Sequence, residues 1–328
     1  MAKFDVISIG DTQYDVFLEL EEKTKLFRDD GYQYLGVAFP EKIPAKKYTA
    51  VPAVGNSANV AIGASRLGLK AAFYTHLGFD QVGKEEVEIF KKEKVATDYV
   101  VWDKEHGSNF SAVLNYQGDR TIIVHHEHRP YKLPKLADAR WVYFSSLAEG
   151  HDILHQEIPE YVKKTLRHGS GQGGARLAFN PGSFQIREGL EPYRELLKVT
   201  TVLFVNKQEA QTLLGVQEQD EKALLEGLKA WGPEIVIITD NGNGSHAFDG
   251  KEYFHRDIFK VPVIEMTGAG DAYSTGFICA LAYGKDIQTA MTWGAANAAS
   301  VIQYIGAREG LLKKDELEKR ILNLVEDV

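Results

Sequence analysis

Short runs of β-branched and aromatic residues alternate with amphipathic stretches along most of the chain, and this alternation restricts the fold more than any other feature. The strand-like runs are FDVISIG, AAFYTHLG, WVYFSSL, LAFNPG, VLFVN, IVIITDN and HAFDG. Helical patterns begin near Ser57, Asp80, Asp152, Lys207, Asp220, Ala269, Asp286 and Lys313. Such alternation predicts a doubly wound α/β fold, in which a mostly parallel sheet carries helices on both faces.

Two segments interrupt this alternation. Residues 31–53 and 110–126 have the pattern of strands separated by turn residues, and the tripeptide QGD at 117–119 suits a hairpin. We expect these segments to pair into a small antiparallel sheet that covers ligands at the carboxyl ends of the main strands. The chain is then one domain over residues 1–328, with this sheet as a lid.

The composition argues against several classes of function. No segment approaches the ~20 apolar residues that cross a bilayer, and the start MAKFDVISIGD lacks the features of a signal peptide, so we expect a cytoplasmic protein. A formal net charge of −8 without a basic run argues against nucleic acid as a partner. Cys279 is the only cysteine, so no internal disulfide can form, and its apolar helix predicts burial.

The segment VIEMTGAGDAYSTGF, residues 263–277, carries the strongest chemical signal. Gly268 and Gly270 lack a Cβ, so a bulky ligand group can approach the backbone where a helix begins. Free N–H groups and the helix dipole make that point an anion site suited to phosphate. Asp271 would repel the phosphate unless it takes a proton from an attacking hydroxyl. The alternative is a glycine turn with Asp271 as a helix cap.

The segment VGNSANVAIGASRLG places small and amide-bearing residues at another helix start: Gly55, Asn56, Ser57 and Asn59. Amide side chains both donate and accept hydrogen bonds, which suits the hydroxyl groups of a sugar. Simple helix capping is the alternative, and it explains Asn56 or Ser57 better than Asn59.

The segment GDTQYDVF follows the first strand and contains Asp11 and Asp15. Ligands bind at strand ends in α/β sheets, and a carboxylate accepts bonds from two adjacent hydroxyls. An aspartate in such a turn is also a common cap, so capping is the alternative here.

Two further strand ends carry polar residues. Asn206 and Glu209 lie three apart at a helix start, which suits either the outer shell of a hydrated Mg²⁺ or a capping box. Thr239, Gly242 and Gly244 end a strongly apolar strand, where the turn could admit the phosphates or ribose of a nucleotide, or form a plain hairpin.

The run HHEH, residues 125–128, resembles a metal-binding cluster at first sight. Adjacent residues of a strand point to opposite faces, so at most two of these side chains converge. We therefore expect a lid strand that places one histidine near the substrate.

Together these segments resemble the ribokinase-like sugar kinases, also called the phosphofructokinase B type. The resemblance covers nearly the whole chain, in order, through GDTQYD, VGNSANVAIGASRLG, GDRTIIV, NPGSF, NKQEA, TDNGNG and TGAGDAYSTGF. It implies a doubly wound α/β domain with a β lid that transfers the γ-phosphoryl group of ATP, with Mg²⁺, to a hydroxymethyl group of a sugar or nucleoside.

The resemblance also implies roles for individual residues, with Asp271 as the catalytic base. The expected anion hole is Gly268, Ala269 and Gly270; the acceptor contacts are Asp15, Gly55, Asn56 and Asn59; the nucleotide contacts are Asn206, Thr239, Gly242, Gly244 and Asn297; and Glu209 is a Mg²⁺ ligand through water.

The chain departs from the family pattern at three places. Glu265 and Met266 replace the usual Asp-Thr pair, which with Thr267 helps to form a monovalent-cation site in some members, so K⁺ activation does not follow from the resemblance. Val54 replaces the first glycine of the usual Gly-Gly pair. His126 stands where several members that bind acidic or phosphorylated sugars carry arginine.

Three functions fit these observations. The first is an ATP-dependent kinase of a neutral sugar such as fructose or ribose. The second is a nucleoside kinase, in which Tyr32, Tyr34 and Phe39 of the lid would stack on a base. The third is a non-catalytic sugar-binding protein on the same fold, suggested by the altered EMTGAGD segment. Lid strands of this family can pair between subunits, which implies a homodimer.

Overall fold

A computed structural model describes residues 3–117, 119–168, 174–217 and 220–326. The strands in these ranges are β1 (Phe4–Ile9), β2 (Gln13–Leu20), β3 (Thr24–Asp29), β4 (Tyr32–Val37), β5 (Ala45–Val54), β6 (Ala71–Gly78), β7 (Ala96–Asp103), β8 (Phe110–Tyr116), β9 (Asp119–His125), β10 (Ala139–Phe144), β11 (Arg176–Phe179), β12 (Thr200–Asn206), β13 (Ile235–Thr239), β14 (Ser245–Phe248) and β15 (Tyr253–Arg256).

The helices in the same ranges are α1 (Asn56–Arg66), α2 (Gln81–Lys92), α3 (Leu154–His168), α4 (Ser183–Glu188), α5 (Arg194–Leu197), α6 (Lys207–Leu214), α7 (Glu221–Lys229), α8 (Ala269–Ala282), α9 (Ile287–Val301) and α10 (Lys314–Glu326). Every strand-like run of the sequence lies on a strand, and every predicted helix start falls within two residues of a helix. Strands β7 and β15 of the main sheet and the short helices α4 and α5 were not predicted.

The main sheet confirms the doubly wound fold. Within the described ranges it contains nine strands in the order β15-β14-β13-β12-β11-β10-β1-β6-β7, and it is parallel except at β14 and β15. Residues alternate between two buried cores: Val202 and Phe204 pack towards α1, α8 and α9, whereas Leu203 and Val205 pack towards α3 and α7. Both faces of the sheet are therefore covered by helices.

The lid differs from the prediction in extent and in strand direction. Among the described residues, four strands pair in the order β5-β2-β8-β9, and β3 and β4 form a separate hairpin. The lid thus begins at Gln13 and not at residue 31, because β2 pairs with β5 and β8. The pair β2 and β8 is parallel, so the sheet is mixed and not purely antiparallel. The predicted hairpin joins Tyr116 to Asp119; Gly118 lies outside the described residues.

A close contact fixes the start of α1 against the end of β1. The Ser57 hydroxyl donates to the Ile9 carbonyl over 2.8 Å, and the Ser8 hydroxyl donates to the Ser57 carbonyl over 2.7 Å. A Cβ on Gly10 would lie 2.1 Å from Ser57 Oγ, so only glycine allows this approach. The polar residues at the start of α1 consequently lie at the carboxyl edge of the sheet.

The returning lid strand β5 is anchored to the core by two long side chains. The Arg308 guanidinium donates to the Pro52 carbonyl over 2.9 Å, and Glu86 accepts from the Ala53 N–H over 3.3 Å. Glu86 is 0% exposed, and burial raises its pKa to about 8. A neutral carboxylic acid therefore supports the junction of lid and core at pH 7.

Two predictions from composition are met by the described residues. None of the helices there combines the length and the apolar run that a bilayer crossing requires. Cys279 is buried on α8 with 1% exposure, as its apolar neighbours predicted.

Candidate active site

The two glycines at the start of α8 differ in backbone conformation and in the space around them. Gly268 precedes the helix in the left-handed conformation, with φ 79°, and a Cβ there would lie 2.3 Å from the Cβ of Ala307. At Gly270, apart from the adjacent residues and the backbone of α8 itself, no atom of the described residues lies within 4 Å of the position a Cβ would take. Gly268 is thus required by backbone geometry and packing, whereas Gly270 leaves open space beside the N–H groups of the first turn.

Asp271 lies in this first turn and is buried, with 8% of its surface exposed. Burial raises its pKa to about 6, the hydrogen bond from Asn59 opposes that rise, and the charge of Glu209 adds to it. A carboxyl group with a pKa near neutrality is suited to accept a proton from a hydroxyl. The capping alternative is not realised, because Gly268 holds the cap position.

Asn59 joins α1 to α8 at this point. Its Nδ2 donates to Asp271 Oδ2 over 2.7 Å, and its Oδ1 is buried without a hydrogen-bond partner among the described residues. Buried polar atoms are nearly always satisfied, so an unpaired Oδ1 beside a buried carboxylate points to a ligand donor such as a hydroxyl. Gly55 precedes α1 with φ 108°, and a Cβ there would lie 3.1 Å from the Asp11 carbonyl.

Asn56 faces a residue that the sequence analysis did not single out. Its Nδ2 lies 3.5 Å from Oδ1 of Asn180, which also accepts from the Tyr143 hydroxyl over 3.1 Å. Asn180 Nδ2 in turn donates to the Phe204 carbonyl over 3.0 Å. Asn180 therefore ties three neighbouring strand ends to the start of α1, and its only sequence signal was its place in the motif NPGSF.

The structure separates Asp15 from Asp11, although both follow β1. Asp15 lies on lid strand β2, where burial raises its pKa to about 6, a hydrogen bond with Ser111 opposes the rise and the charge of Glu265 adds to it. Asp11 is 5% exposed and accepts from the Tyr131 hydroxyl and the Ala148 N–H, each over 2.8 Å. Asp15 is consequently a lid group, and Asp11 is held by protein donors.

His126 joins this group from the end of the lid. Its Nδ1 lies 3.9 Å from Asp11 Oδ2 and has no hydrogen-bond partner in the described part of the chain, and its ring meets Phe184 edge to face at 5.9 Å. A contact between His126 and the substrate stays a prediction, and the unpaired Nδ1 makes His126 the candidate for it. The resemblance alone did not identify His126 as a contact, because the family pattern differs there.

Asn206 and Glu209 form the capping box that was the alternative reading of their spacing. The Glu209 N–H donates to Asn206 Oδ1 and the Asn206 N–H donates to Glu209 Oε2, both over 2.8 Å. Burial raises the pKa of Glu209, and its charge acts on Asp271. A carboxylate oxygen in this position fits a hydrated Mg²⁺, which accepts few protein ligands and keeps several waters.

The predicted nucleotide turn lies between β13 and β14. Thr239 pairs with Ser245 across the strands, and residues 241–243 form a tight 3₁₀ turn. Gly244 is required by packing, because a Cβ there would lie 2.2 Å from the Arg256 carbonyl, whereas no described atom lies within 4 Å of a Cβ on Gly242. Gly242 is therefore the glycine that leaves room for a ligand.

Asn297 does not lie where a nucleotide contact was expected. It is 0% exposed, its Nδ2 donates to the Ala272 carbonyl over 2.8 Å, and its Oδ1 accepts from the Leu312 N–H over 3.1 Å. The side chain thus links α9 to α8 and to the segment before α10. The register of Asn297 on α9 directs the side chain into the core, and both polar atoms of its amide are bonded to the backbone, so the structure offers no support for an adenine contact by this side chain.

A buried carboxylate at a glycine-rich helix start, on a doubly wound sheet that also carries a small β sheet, is the arrangement that the resemblance to ribokinase-like kinases implied. The model of the pfkB family of carbohydrate kinases matches residues 5–314, and the chain belongs to this family.

Individual relatives show which activities the family includes. The chain is 26% identical over 276 residues to the 5-dehydro-2-deoxygluconokinase of Shouchella clausii, covering 80% of this chain and 84% of the relative. It is 27% identical over 272 residues to the ribokinase of Haemophilus influenzae, covering 80% and 85%. The structure of Arabidopsis thaliana ribokinase complexed with ribose and ATP aligns with a TM-score of 0.79 at 21% identity, covering 98% and 99%, and shows the same fold.

Proposed function

We propose that the protein is an ATP-dependent kinase that phosphorylates a hydroxymethyl group of a neutral sugar. The observation that carries the proposal is Asp271, a buried carboxylate whose pKa is raised to about 6 and which is bonded to Asn59 at an open, glycine-rich helix start. The acceptor hydroxyl loses its proton to Asp271 as its oxygen bonds to the γ-phosphorus of ATP. The bond from that phosphorus to the bridging oxygen breaks, which releases ADP.

The residues at the helix start support the same reaction. The N–H groups of Gly268, Ala269 and Gly270 would stabilise the charge on the phosphoryl oxygens. Glu209 would hold Mg²⁺ through water, and the ion would supply positive charge to the phosphates. Gly242 and Thr239 would admit the nucleotide beside β13.

The charges around the acceptor position favour a neutral sugar. Asp15 and Asp271 both carry carboxyl groups with pKa values raised to about 6, which ionise at pH 7 and repel a phosphate or carboxylate on the acceptor. Arg129 acts electrostatically on Asp11, but its guanidinium is already bonded to Asp103 and to the His76 carbonyl. A polyol with hydroxyl donors suits these acceptor groups better than an anion.

The test is ADP release with ATP and Mg²⁺ across a panel of sugars, sugar phosphates and nucleosides. We expect turnover with one neutral sugar, and a loss of about 10²- to 10⁴-fold for Asp271→Asn, since general base catalysis contributes that much. Asp98→Asn is the matched control, because Asp98 is exposed on β7, at the opposite end of the main sheet from the predicted nucleotide turn. Unchanged turnover in Asp271→Asn would overturn the proposed base. Sugar binding by calorimetry without turnover would support a binding protein.

A nucleoside kinase is the second candidate, supported by aromatic side chains on the lid hairpin. Tyr32 is 69% exposed and Tyr34 is 41% exposed, and Phe27 stacks on Tyr34 at 5.3 Å. Exposed rings of this kind provide stacking surfaces for a base. Turnover of adenosine or inosine, with none of the free sugars, would favour this candidate over the first.

We further propose a homodimer that forms through the lid. Phe39, Tyr48 and Ile123 are 94%, 72% and 58% exposed on lid segments, and β5 and β9 are the outer strands of the lid sheet. Apolar side chains beside unpaired strand edges are suited to pairing with a second copy. Sedimentation should show a dimer at micromolar concentration and a monomer for Ile123→Lys; a monomeric wild-type chain would overturn the proposal.

A further inference from the structure

Two histidines and a glutamate converge outside the proposed kinase site. His151 precedes α3, His155 lies in the first turn of α3, and Glu188 ends α4. One ring nitrogen of each histidine and one carboxylate oxygen of Glu188 all lie within 4.8 Å of one another, and His151 Nε2 is 3.6 Å from Glu188 Oε2. Tetrahedral Zn²⁺ with bonds of ~2.0–2.1 Å separates its ligand atoms by roughly 3.3 Å, so small side-chain rotations would complete such a set.

Backbone carbonyls orient both rings towards this point. Nδ1 of His151 lies 2.6 Å from the Ala148 carbonyl and donates to it, which leaves Nε2 facing Glu188. The backbone of Pro192 acts on the His155 ring, and Nε2 of His155 is buried without a hydrogen-bond partner among the described residues. A backbone carbonyl on the second ring nitrogen is the arrangement that fixes a metal-binding histidine.

A hydrogen-bond network without an ion explains only part of the cluster. The Tyr193 hydroxyl donates to Glu188 and also lies 3.0 Å from His151 Nε2, but its single proton can serve only one of these two acceptors. His155 is 7% exposed, and its unpaired Nε2 is left over. A buried acceptor without a partner is costly, and an ion at the centre of the cluster would satisfy it.

Charge and access also favour a cation. The carboxylates of Glu188 and Asp152 both act electrostatically on His155. The side chain of Glu188 is 37% exposed, which gives an ion a path from solvent, whereas the two histidines are buried. The neighbouring residue Arg187 is not part of the cluster: its guanidinium lies over the ring of Phe184, 4.5 Å from the ring centroid.

We propose that His151, His155 and Glu188 bind one divalent cation of the borderline class, typified by Zn²⁺. Two imidazole nitrogens with one carboxylate suit Zn²⁺ and not Mg²⁺, which takes oxygen ligands. The ion is structural, because it joins the segment before α3 to the end of α4. The Ala148 carbonyl accepts from His151, and the Ala148 N–H donates to Asp11. The ion would therefore also stabilise the position of Asp11 beside the proposed acceptor site.

The experiment measures Zn²⁺ binding directly, without ATP or sugar. The full chain is freed of metal with a chelator and titrated with Zn²⁺ against a chromophoric competitor. We expect one ion per chain, a rise in Tm on binding, and the visible absorption of tetrahedral Co²⁺ when Co²⁺ replaces Zn²⁺. Glu188→Gln and His155→Gln should each weaken Zn²⁺ at least ~10-fold, since each removes a ligand. Glu188 is partly exposed, so its variant keeps the test valid if His155→Gln fails to fold.

Two control variants separate this cluster from other Zn²⁺-binding groups. The first control is His255, which lies beside His246 and bonds Asp257 but is 46% exposed. The second control is Glu209, which lies in the proposed kinase site and outside this cluster. His255→Gln and Glu209→Gln should therefore keep the wild-type affinity. Absence of Zn²⁺ binding in the wild-type chain, or equal affinity in the wild type, Glu188→Gln and His155→Gln, would overturn the proposal.

Discussion

The amide of Asn59 donates a 2.7 Å hydrogen bond to the carboxylate of Asp271, a residue 212 positions further along the chain. The bond joins the first turns of α1 and α8, and it favours the ionised form of a carboxyl group that burial drives towards the neutral form. Asn59 therefore sets the pH range in which the proposed base can act.

The first prediction is a pH profile that depends on Asn59. A general base acts when deprotonated, so kcat/KM should rise about tenfold per pH unit below a midpoint near 6 and level off above it. Asn59→Ala removes a hydrogen bond that lowers the pKa, so its midpoint should move to higher pH. Asn56 faces Asn180 and not Asp271, so Asn56→Ala should keep the wild-type midpoint. A midpoint that stays in place in Asn59→Ala would contradict the assignment.

The second prediction distinguishes the two glycines of α8. Gly268→Ala should lower the free energy of unfolding by about 1–3 kcal/mol, because φ is positive and the new methyl group meets Ala307. Gly270→Ala should leave that free energy within about 1 kcal/mol, because the space is open and alanine favours a helix. The kcat/KM of Gly270→Ala should instead fall about 10²-fold, because the methyl group blocks the proposed anion site.

Urea unfolding and steady-state kinetics on both glycine variants test this contrast. A stable, fully active Gly268→Ala chain, or a Gly270→Ala chain that keeps wild-type activity, would show that the glycines do not have separate roles.

The third prediction concerns the neutral carboxyl group of Glu86 at the junction of lid and core. Burial raises its pKa from 4.5 to about 8, so between these values the folded chain binds more protons than the unfolded chain. Stability should therefore be fully present below pH 4.5 and fall as pH rises, by at most about 1.4 kcal/mol per pH unit from this group. Glu86→Gln should remove the fall and be more stable than the wild type near pH 8.

Glu93 provides a control of opposite sign. Its hydrogen bond with Arg66 lowers its pKa, so its contribution is present above pH 4.5 and is lost as pH falls through the lowered value. Glu93→Gln should therefore destabilise the chain more at pH 7 than at pH 4. Urea unfolding at several pH values measures both slopes, and equal slopes for Glu86→Gln and the wild type would refute the role of Glu86.

The fourth prediction is turnover that does not depend on K⁺. The Glu265 carboxylate accepts from the Gly306 N–H over 2.6 Å and from the Thr267 hydroxyl, and the Arg120 guanidinium lies 4.0 Å away. These two donors and the Arg120 cation already compensate the negative charge of Glu265. Replacing KCl by choline chloride at constant ionic strength should therefore change kcat by less than about twofold. Strong activation by K⁺ would contradict this reading of Glu265.

The parts of the fold that local sequence specifies were predictable. Runs of β-branched and aromatic residues such as VLFVN identified strands, and the glycines before Asp271 identified the start of α8. The extent of the lid was not predictable, because β2 is a lid strand only through its pairing with β8. Asp11 and Asp15 are four positions apart, yet Asp11 is held by Tyr131, 120 residues further along the chain, whereas Asp15 lies on a lid strand.

The remaining differences have a similar origin. The spacing of Asn206 and Glu209 fits both a capping box and a metal shell, and the structure shows that the first is formed while Glu209 still acts on Asp271. The buried position of Asn297 was not predictable, because it depends on which face of α9 packs on α8, and a single amide residue does not reveal that register.

The parallel pairing of β2 with β8 also determines when the lid forms during folding. Tyr14 lies opposite Phe110, so this pair closes a long loop that contains α1, β6, α2 and β7. Loop closure becomes favourable only after those elements have packed, which makes the lid late to assemble and early to open. Under the proposed function, the lid opening that exchanges the acceptor and the first step of unfolding both break this pairing. An acceptor that holds the lid closed would then slow both processes and protect the chain from proteolysis.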